Sequence, residues 1–196
     1  MTDNRRRDSD RLVQLSANTS AEQDGESLFY ELRKGKVWFS EEIRREHRKL
    51  RTSLWRYIRH SRFFVALTAP FIYACVIPFL LLDVFVTVYQ AFSFPIYGIP
   101  KVPRDSYILF DRGKLCYLNF LERLNCQYCA YANGLIAYVT EVAARTEQHW
   151  CPIKHARRIP SPHSRYSHFL PYGDASAYRE RIDEVRDDFK DLVRRK

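Results

Sequence analysis

Three features of the sequence predict a mostly α-helical, membrane-anchored chain. Residues 63–92 form an apolar run of 30 positions, 17 of them Phe, Leu, Ile or Val, with Asp83 as its one charged side chain. The stretch just before it, 41–62, carries eight Lys or Arg against three Glu. Downstream, apolar residues recur at helical spacing through 113–150 and again after Gly173.

Residues 1–26 mix charges with Ser, Thr, Asn and Gln, show no hydrophobic period, and read as a disordered tail. Residues 27–62 read as a basic amphipathic helical region. Ser40 is the expected N-cap, Glu41 and Glu42 suit the positive end of the helix dipole, and Ile43, His47, Leu50, Leu54 and Ile58 follow at helical steps. Trp55, Tyr57 and Arg59 to Arg62 close it with the aromatic and cationic residues that favour headgroup depth.

The membrane segment is placed at 63–100. On an insertion scale of roughly −0.3 to −0.6 kcal/mol per Leu, Ile, Phe or Val, residues 71–90 gain about 4 to 7 kcal/mol, against roughly 3 for Asp83. The run begins some 60 residues into the chain and no small-residue cleavage site follows, unlike a signal peptide. As a straight helix it would measure about 45 Å against a hydrocarbon core near 30 Å, so a tilt, a kink or a turn is expected at Pro70 or Pro78. A turn at Pro78 makes the segment re-entrant and keeps both soluble parts on one side; a kink lets it span once. Charge counting puts the N-terminal flank in the cytoplasm, and the same-side arrangement, with a cytoplasmic C-terminal domain, is the expectation.

Residues 101–173 read as a Cys/His helical domain with a Pro-rich connector. Leu118, Leu121, Tyr128, Tyr131, Leu135, Tyr138 and Val142 share a helical face, and Asn133-Gly134 is either a tolerated interruption or a turn. The connector after Cys151-Pro152 is expected to lack regular structure. The last segment, 174–196, reads as an amphipathic helix with Tyr178, Ile182, Val185, Phe189 and Val193 on one face.

Four of the five cysteines lie in 116–155. Cys126 and Cys129 form C-x2-C, and Cys151 precedes His155 by four positions; together they offer the ligand types of a Zn2+ site or an iron–sulfur cluster. The metal reading requires the chain to fold back between the two pairs. A reversal at Asn133-Gly134 instead sets Cys116 opposite Cys151 and leaves Cys126 and Cys129 at a hairpin tip as a thiol pair. Buried cysteines acting as small apolar residues are the plain alternative, and the natural one for Cys75. Asp83 is a functional candidate because a carboxylate at membrane depth needs a partner or water.

The net charge of +9 suits an anionic membrane surface, and no nucleic-acid-binding motif accompanies it. The leading function read from these residues is a non-enzymatic membrane module in which Zn2+ on Cys126, Cys129, Cys151 and His155 braces a surface for a protein partner. A membrane redox protein is the second reading. A lipid-interface enzyme using Asp83, His149 or His155 is the third.

Overall fold

The computed structural model describes residues 26–27, 30–33, 36–53, 55–56, 59 and 63–193. The expected tail lies, but for Glu26, outside them, as do Leu54, Tyr57 and Ile58. The described chain is mostly helical and divides into two compact units.

The smaller unit holds residues up to Arg51 together with Lys114–Tyr117. Its first part is not helical. Strands β1 (Glu26–Ser27), β2 (Tyr30–Arg33) and β3 (Lys36–Trp38) pair antiparallel in the order β1-β2-β3, with Glu31 opposite Trp38 and Arg33 opposite Lys36. Only two residues separate that last pair, the spacing of a tight hairpin. The helical reading of 27–39 is corrected accordingly: Tyr30, Val37, Trp38 and Phe39 are aromatic and β-branched residues that fit a pleated surface better than a helix face. Helix α1 (Glu41–Lys49) starts where expected, with the Ser40 Oγ accepting from the Ile43 N–H at 3.3 Å. It ends at Lys49 with Leu50 as its cap, and within the rest of the expected helical region Trp55, Arg56 and Arg59 are helical again. His47 packs edge-on to Phe39 and Tyr117, with ring centroids 5.4 and 5.1 Å away.

The larger unit is built on the apolar run. Helices α2 (Phe63–Ala74) and α3 (Val76–Ile96) follow one another with a single irregular residue, Cys75. Pro78 explains that position. It has no N–H for the carbonyl of Ala74, four residues earlier, and its ring crowds that carbonyl, so the ladder fails one turn before the proline. The Cys75 N–H bonds instead to Ile72 O at 3.2 Å, and Phe79 resumes the regular pattern on Cys75 O at 3.3 Å. The turn at Pro78 that the re-entrant arrangement needs is therefore absent: Leu67–Ile96 is one apolar helix of 30 residues, long enough to cross a bilayer.

At the far end the chain reverses. Gly98 takes φ +67°, the Ile99 N–H bonds to Phe94 O at 2.9 Å, and both Phe94 and Ile99 are buried. This is a Schellman closure, with the left-handed glycine just past the cap and its apolar contact in place. The chain then runs back along α3 as an irregular segment, 99–113, with short 3-10 turns at Arg104–Ser106 and Asp111–Lys114. Helix α4 (Phe120–Trp150) follows, opened by a capping box: Asn119 Oδ1 accepts from the Glu122 N–H at 3.0 Å, and Glu122 Oε2 accepts from the Asn119 N–H at 2.8 Å.

α4 runs unbroken through Asn133-Gly134, so the helix pair expected from a reversal there does not form. Gly134 serves a different purpose. A Cβ on it would lie 2.5 Å from Tyr107 O and 3.0 Å from Ile108 Cα, because the returning segment crosses α4 at this point. Beyond α4 the connector is more regular than expected. Lys154 and Leu170 pair through N–H···O bonds of 2.8 Å that join residues 152–154 to Leu170 in a parallel bridge, and a 3-10 turn spans Tyr166–His168. The expected last helix exists as α5 (Ala175–Asp187) and α6 (Lys190–Val193), broken at Asp188. Ile182, Val185 and Phe189 are buried as anticipated. One core cluster joins Phe94, Ile99, Val102, Ile108, Leu135, Tyr138, Val142 and Phe189.

Gly134→Ala tests the close approach. Helix propensity alone favours alanine by about 1 kcal/mol, whereas overlap with the returning backbone costs about 1 to 3 kcal/mol. A lowered thermal midpoint in detergent is expected; an unchanged or raised one would show that segment 107–108 does not press on α4.

Candidate functional site

Asp83, Thr87 and Gln90 stand at steps of four and three on α3, which places them on one face of an otherwise apolar helix. Asp83 and Gln90 are met by both the returning segment and α4, and Thr87 bonds back to Asp83. The Asp83 carboxylate receives a two-pronged bond from Arg104, Nε to Oδ1 at 2.9 Å and Nη2 to Oδ2 at 2.5 Å. The Tyr131 hydroxyl donates to Oδ2 at 3.0 Å and the Thr87 hydroxyl to Oδ1 at 3.4 Å. Asp83 is 8% exposed. A guanidinium fork matched to both carboxylate oxygens is the strongest pairing a side chain offers such a group.

Gln90 forms the next rung. Its Oε1 accepts from the Val102 N–H at 2.7 Å, and its Nε2 donates to Val102 O at 3.2 Å and to the Tyr138 hydroxyl at 3.1 Å. Further rungs are Tyr89 with Thr146 at 3.2 Å, the Tyr128 hydroxyl on Ile72 O at 2.8 Å, and Tyr73 with Asn125. These pairs rise together in sequence, so α3 and α4 run parallel, with the returning segment antiparallel to both. Arg145 is 6% exposed and bonds to Glu141 at 2.9 Å and to the carbonyls of Pro100 and Lys101 at 2.7 and 3.2 Å. Glu141 and Arg145 thus form an internal clamp on the start of the returning segment.

A second polar cluster ties the C-terminal helices down. Arg165, 2% exposed, donates through Nε to Gln148 Oε1 at 2.5 Å, through Nη1 to Asp191 at 2.6 Å and through Nη2 to Asp188 O at 2.7 Å. Gln148 in turn donates to Val185 O and Asp188 O, each at 2.9 Å. His163 lies 3.0 Å from Glu147, and the Ser164 hydroxyl donates to Glu141 at 2.6 Å.

The four residues expected to hold a metal are not brought together. Cys126, half-buried, and Cys129, exposed, sit in the early turns of α4, while Cys151 is its exposed C-cap. Along one helix the pairs stand about 33 to 37 Å apart. His155, four residues past Cys151, stacks on Tyr166 at 6.0 Å, and its N–H bonds to the Tyr166 hydroxyl at 2.9 Å. Among the described residues no group of three or more His, Cys, Asp or Glu is placed to hold a metal ion, so the fold gives zinc or an iron–sulfur cluster no shared site at these positions. Cys116 and Cys151 lack the hairpin meant to oppose them, and all five cysteines are free. The residues of the enzyme reading are dispersed as well. Asp83 is engaged by Arg104, and His149 is packed against Tyr97 and Trp150, about 27 Å along α4 from Tyr131.

Sequence reasoning singled out Asp83 but missed Gln90, Arg104, Gln148 and Arg165. Arg104 carried the one usable signal: a Pro-flanked cation shortly after an apolar run containing a lone carboxylate. Comparison with family models, curated proteins and solved structures gives no match.

Two predictions follow from these clusters. Asp83→Asn and Arg104→Gln should each lower the unfolding midpoint in detergent, by about 1 to 3 kcal/mol given the partial exposure of Arg104, and the double variant should cost less than the sum. Strict additivity would mean that the pair does not couple. The hydrogen bond from Arg165, helped by its charge, holds the Asp191 carboxyl below its usual range. Its contribution, about 1 kcal/mol because Asp191 is partly exposed, is therefore complete above the ordinary carboxylate pKa near 4 and is lost as pH falls below it. The gap in stability between wild type and Asp191→Asn should close in that acid range; a gap constant down to pH 2 would rule out the pairing.

Proposed function

We propose that the chain is a non-enzymatic membrane module: an intrinsic anchor that carries a helical domain as a docking surface for another protein. One observation carries the reading. Asp83, Tyr89 and Gln90 of α3 are engaged by the chain's own α4 and returning segment, whereas its remaining faces expose Ile77, Leu81, Phe85, Val88 and Phe92. A soluble core helix would bury that surface; here the bilayer is the solvent that accommodates it.

Arg56, Arg59 and Arg62 precede the helix and mark its cytoplasmic end by charge bias. In this reading the helix spans once and its C-terminal end is at the opposite surface; the continuity of α3 through Pro78 favours that over the same-side arrangement. The docking surface belongs to the C-terminal part, where Ile153, Leu170, Pro171 and Tyr178 line a shallow apolar cleft beside Arg179, next to exposed Tyr172. Such apolar and aromatic surface with a cation at its rim suits a protein contact.

Alkaline carbonate treatment of membranes containing the chain should leave it in the pellet; release into the supernatant would refute the intrinsic anchor. A photoreactive residue at Tyr172 in native membranes should yield a discrete protein adduct, and its absence would remove the docking role while sparing the anchor.

A further inference from the structure

Helix α4 was read as part of a soluble domain, yet it runs alongside the apolar helix over most of its length. From Leu124 to Thr140 it has 17 residues without an Asp, Glu, Lys, Arg or His, bracketed by Glu122 and Arg123 on one side and Glu141 on the other. That stretch measures about 26 Å, close to the thickness of the hydrocarbon core. The Asp83–Tyr131 and Gln90–Tyr138 bonds fix it at the same level as the second half of α3. If α3 is in the bilayer, this part of α4 lies at bilayer depth too.

The two sides of α4 differ. Gly134, Tyr138 and Arg145 face the returning segment, from which Lys101, Asp105 and Arg112 project into the open. Cys129, Asn133, Ile136 and Thr140 lie about 200 to 260° around the helix from Gly134, on the far side, and all four are exposed. No charge interrupts them. Each of the two polar side chains among them donates within the helix: Asn133 Nδ2 to Cys129 O at 2.9 Å, and the Thr140 hydroxyl to Ile136 O at 2.8 Å. That back-bonding to the preceding turn is how polar residues are accommodated where water is absent.

We propose that the Cys129–Asn133–Ile136–Thr140 face of α4 lies against the hydrocarbon of the bilayer, continuing the lipid-facing surface of α3, while the charged returning segment covers the opposite side. The inference rests on the membrane reading of α3. It makes the unit a two-helix membrane body with an internal polar seam, in place of a single anchor with a soluble domain attached.

Cysteines already in the chain provide the test. Full-length protein in lipid nanodiscs is treated with a membrane-impermeant maleimide, and modification is read for each cysteine by peptide mass spectrometry, in parallel with a phospholipid bearing a photoreactive acyl chain. Cys151 should be modified and Cys129 protected, Cys129 should react once the protein is unfolded in detergent, and the lipid probe should mark the peptide 124–140. Modification of Cys129 in the discs would overturn the proposal by showing a water-facing surface. Protection without lipid adducts, accompanied by cross-linked dimers through this face, would overturn it in favour of a second copy. Failure of the chain to enter discs, with release by carbonate, would instead refute the membrane reading beneath it.

Discussion

A carboxylate in the middle of an apolar helix sets the terms for the larger unit. Left alone, Asp83 would carry a desolvation cost that uses up much of what the surrounding apolar side chains gain. Arg104 supplies both missing bonds at once. Arg104 lies only 21 residues after Asp83, and 13 of those continue α3 to its end, so the pairing requires the chain to reverse at the helix end and retrace it. Gly98 makes that reversal possible, since its left-handed φ is one that a side chain would resist.

A retraced path has further consequences. An irregular backbone beside an apolar helix exposes N–H and C=O groups that need partners. Gln90 takes both groups of Val102, and Arg145 takes the carbonyls of Pro100 and Lys101. The segment must also lie close to α4 to be shielded, and that is why a glycine occurs in the middle of a long helix: at Gly134 the backbone of Tyr107–Ile108 occupies the space of a Cβ. Buried polar side chains, a glycine and a parallel helix pair thus follow from one ion pair and the geometry of reaching it.

Helix existence and buried faces were legible in the residues, because periodicity and capping are local. Ser40 caps α1, the 113–150 face is buried at Leu135, Tyr138 and Val142, and the last helix buries Ile182 and Val185. Pro78 announced an irregularity but not its kind: the ladder fails for one residue and recovers. The sheet at 26–38 was missed because its strands are two to four residues long, too short for an alternation to register. The polar seam was half legible. A lone Asp in an apolar run asks for a partner, but whether water, a second chain or an arginine 21 positions on supplies it depends on the path between, which local pattern does not encode.

The cysteines show the same limit from the other side. C-x2-C and C-x3-H specify ligand types, and their meaning as one site depends wholly on whether the intervening chain doubles back. Asn133-Gly134 was the residue pair able to do so, and glycine at such a position has two physical uses that look identical in sequence: a turn, or a helix surface cut away for a neighbouring backbone. The second use requires a neighbour, here the segment that Arg104 draws back along α3. The pairing of Asp83 therefore also decides the cysteines, since it keeps α4 straight and so holds Cys126 and Cys129 more than 30 Å from Cys151. What the straight helix offers in exchange is an uncharged face at the depth of the apolar run, and a thiol at Cys129 positioned to report whether lipid covers it.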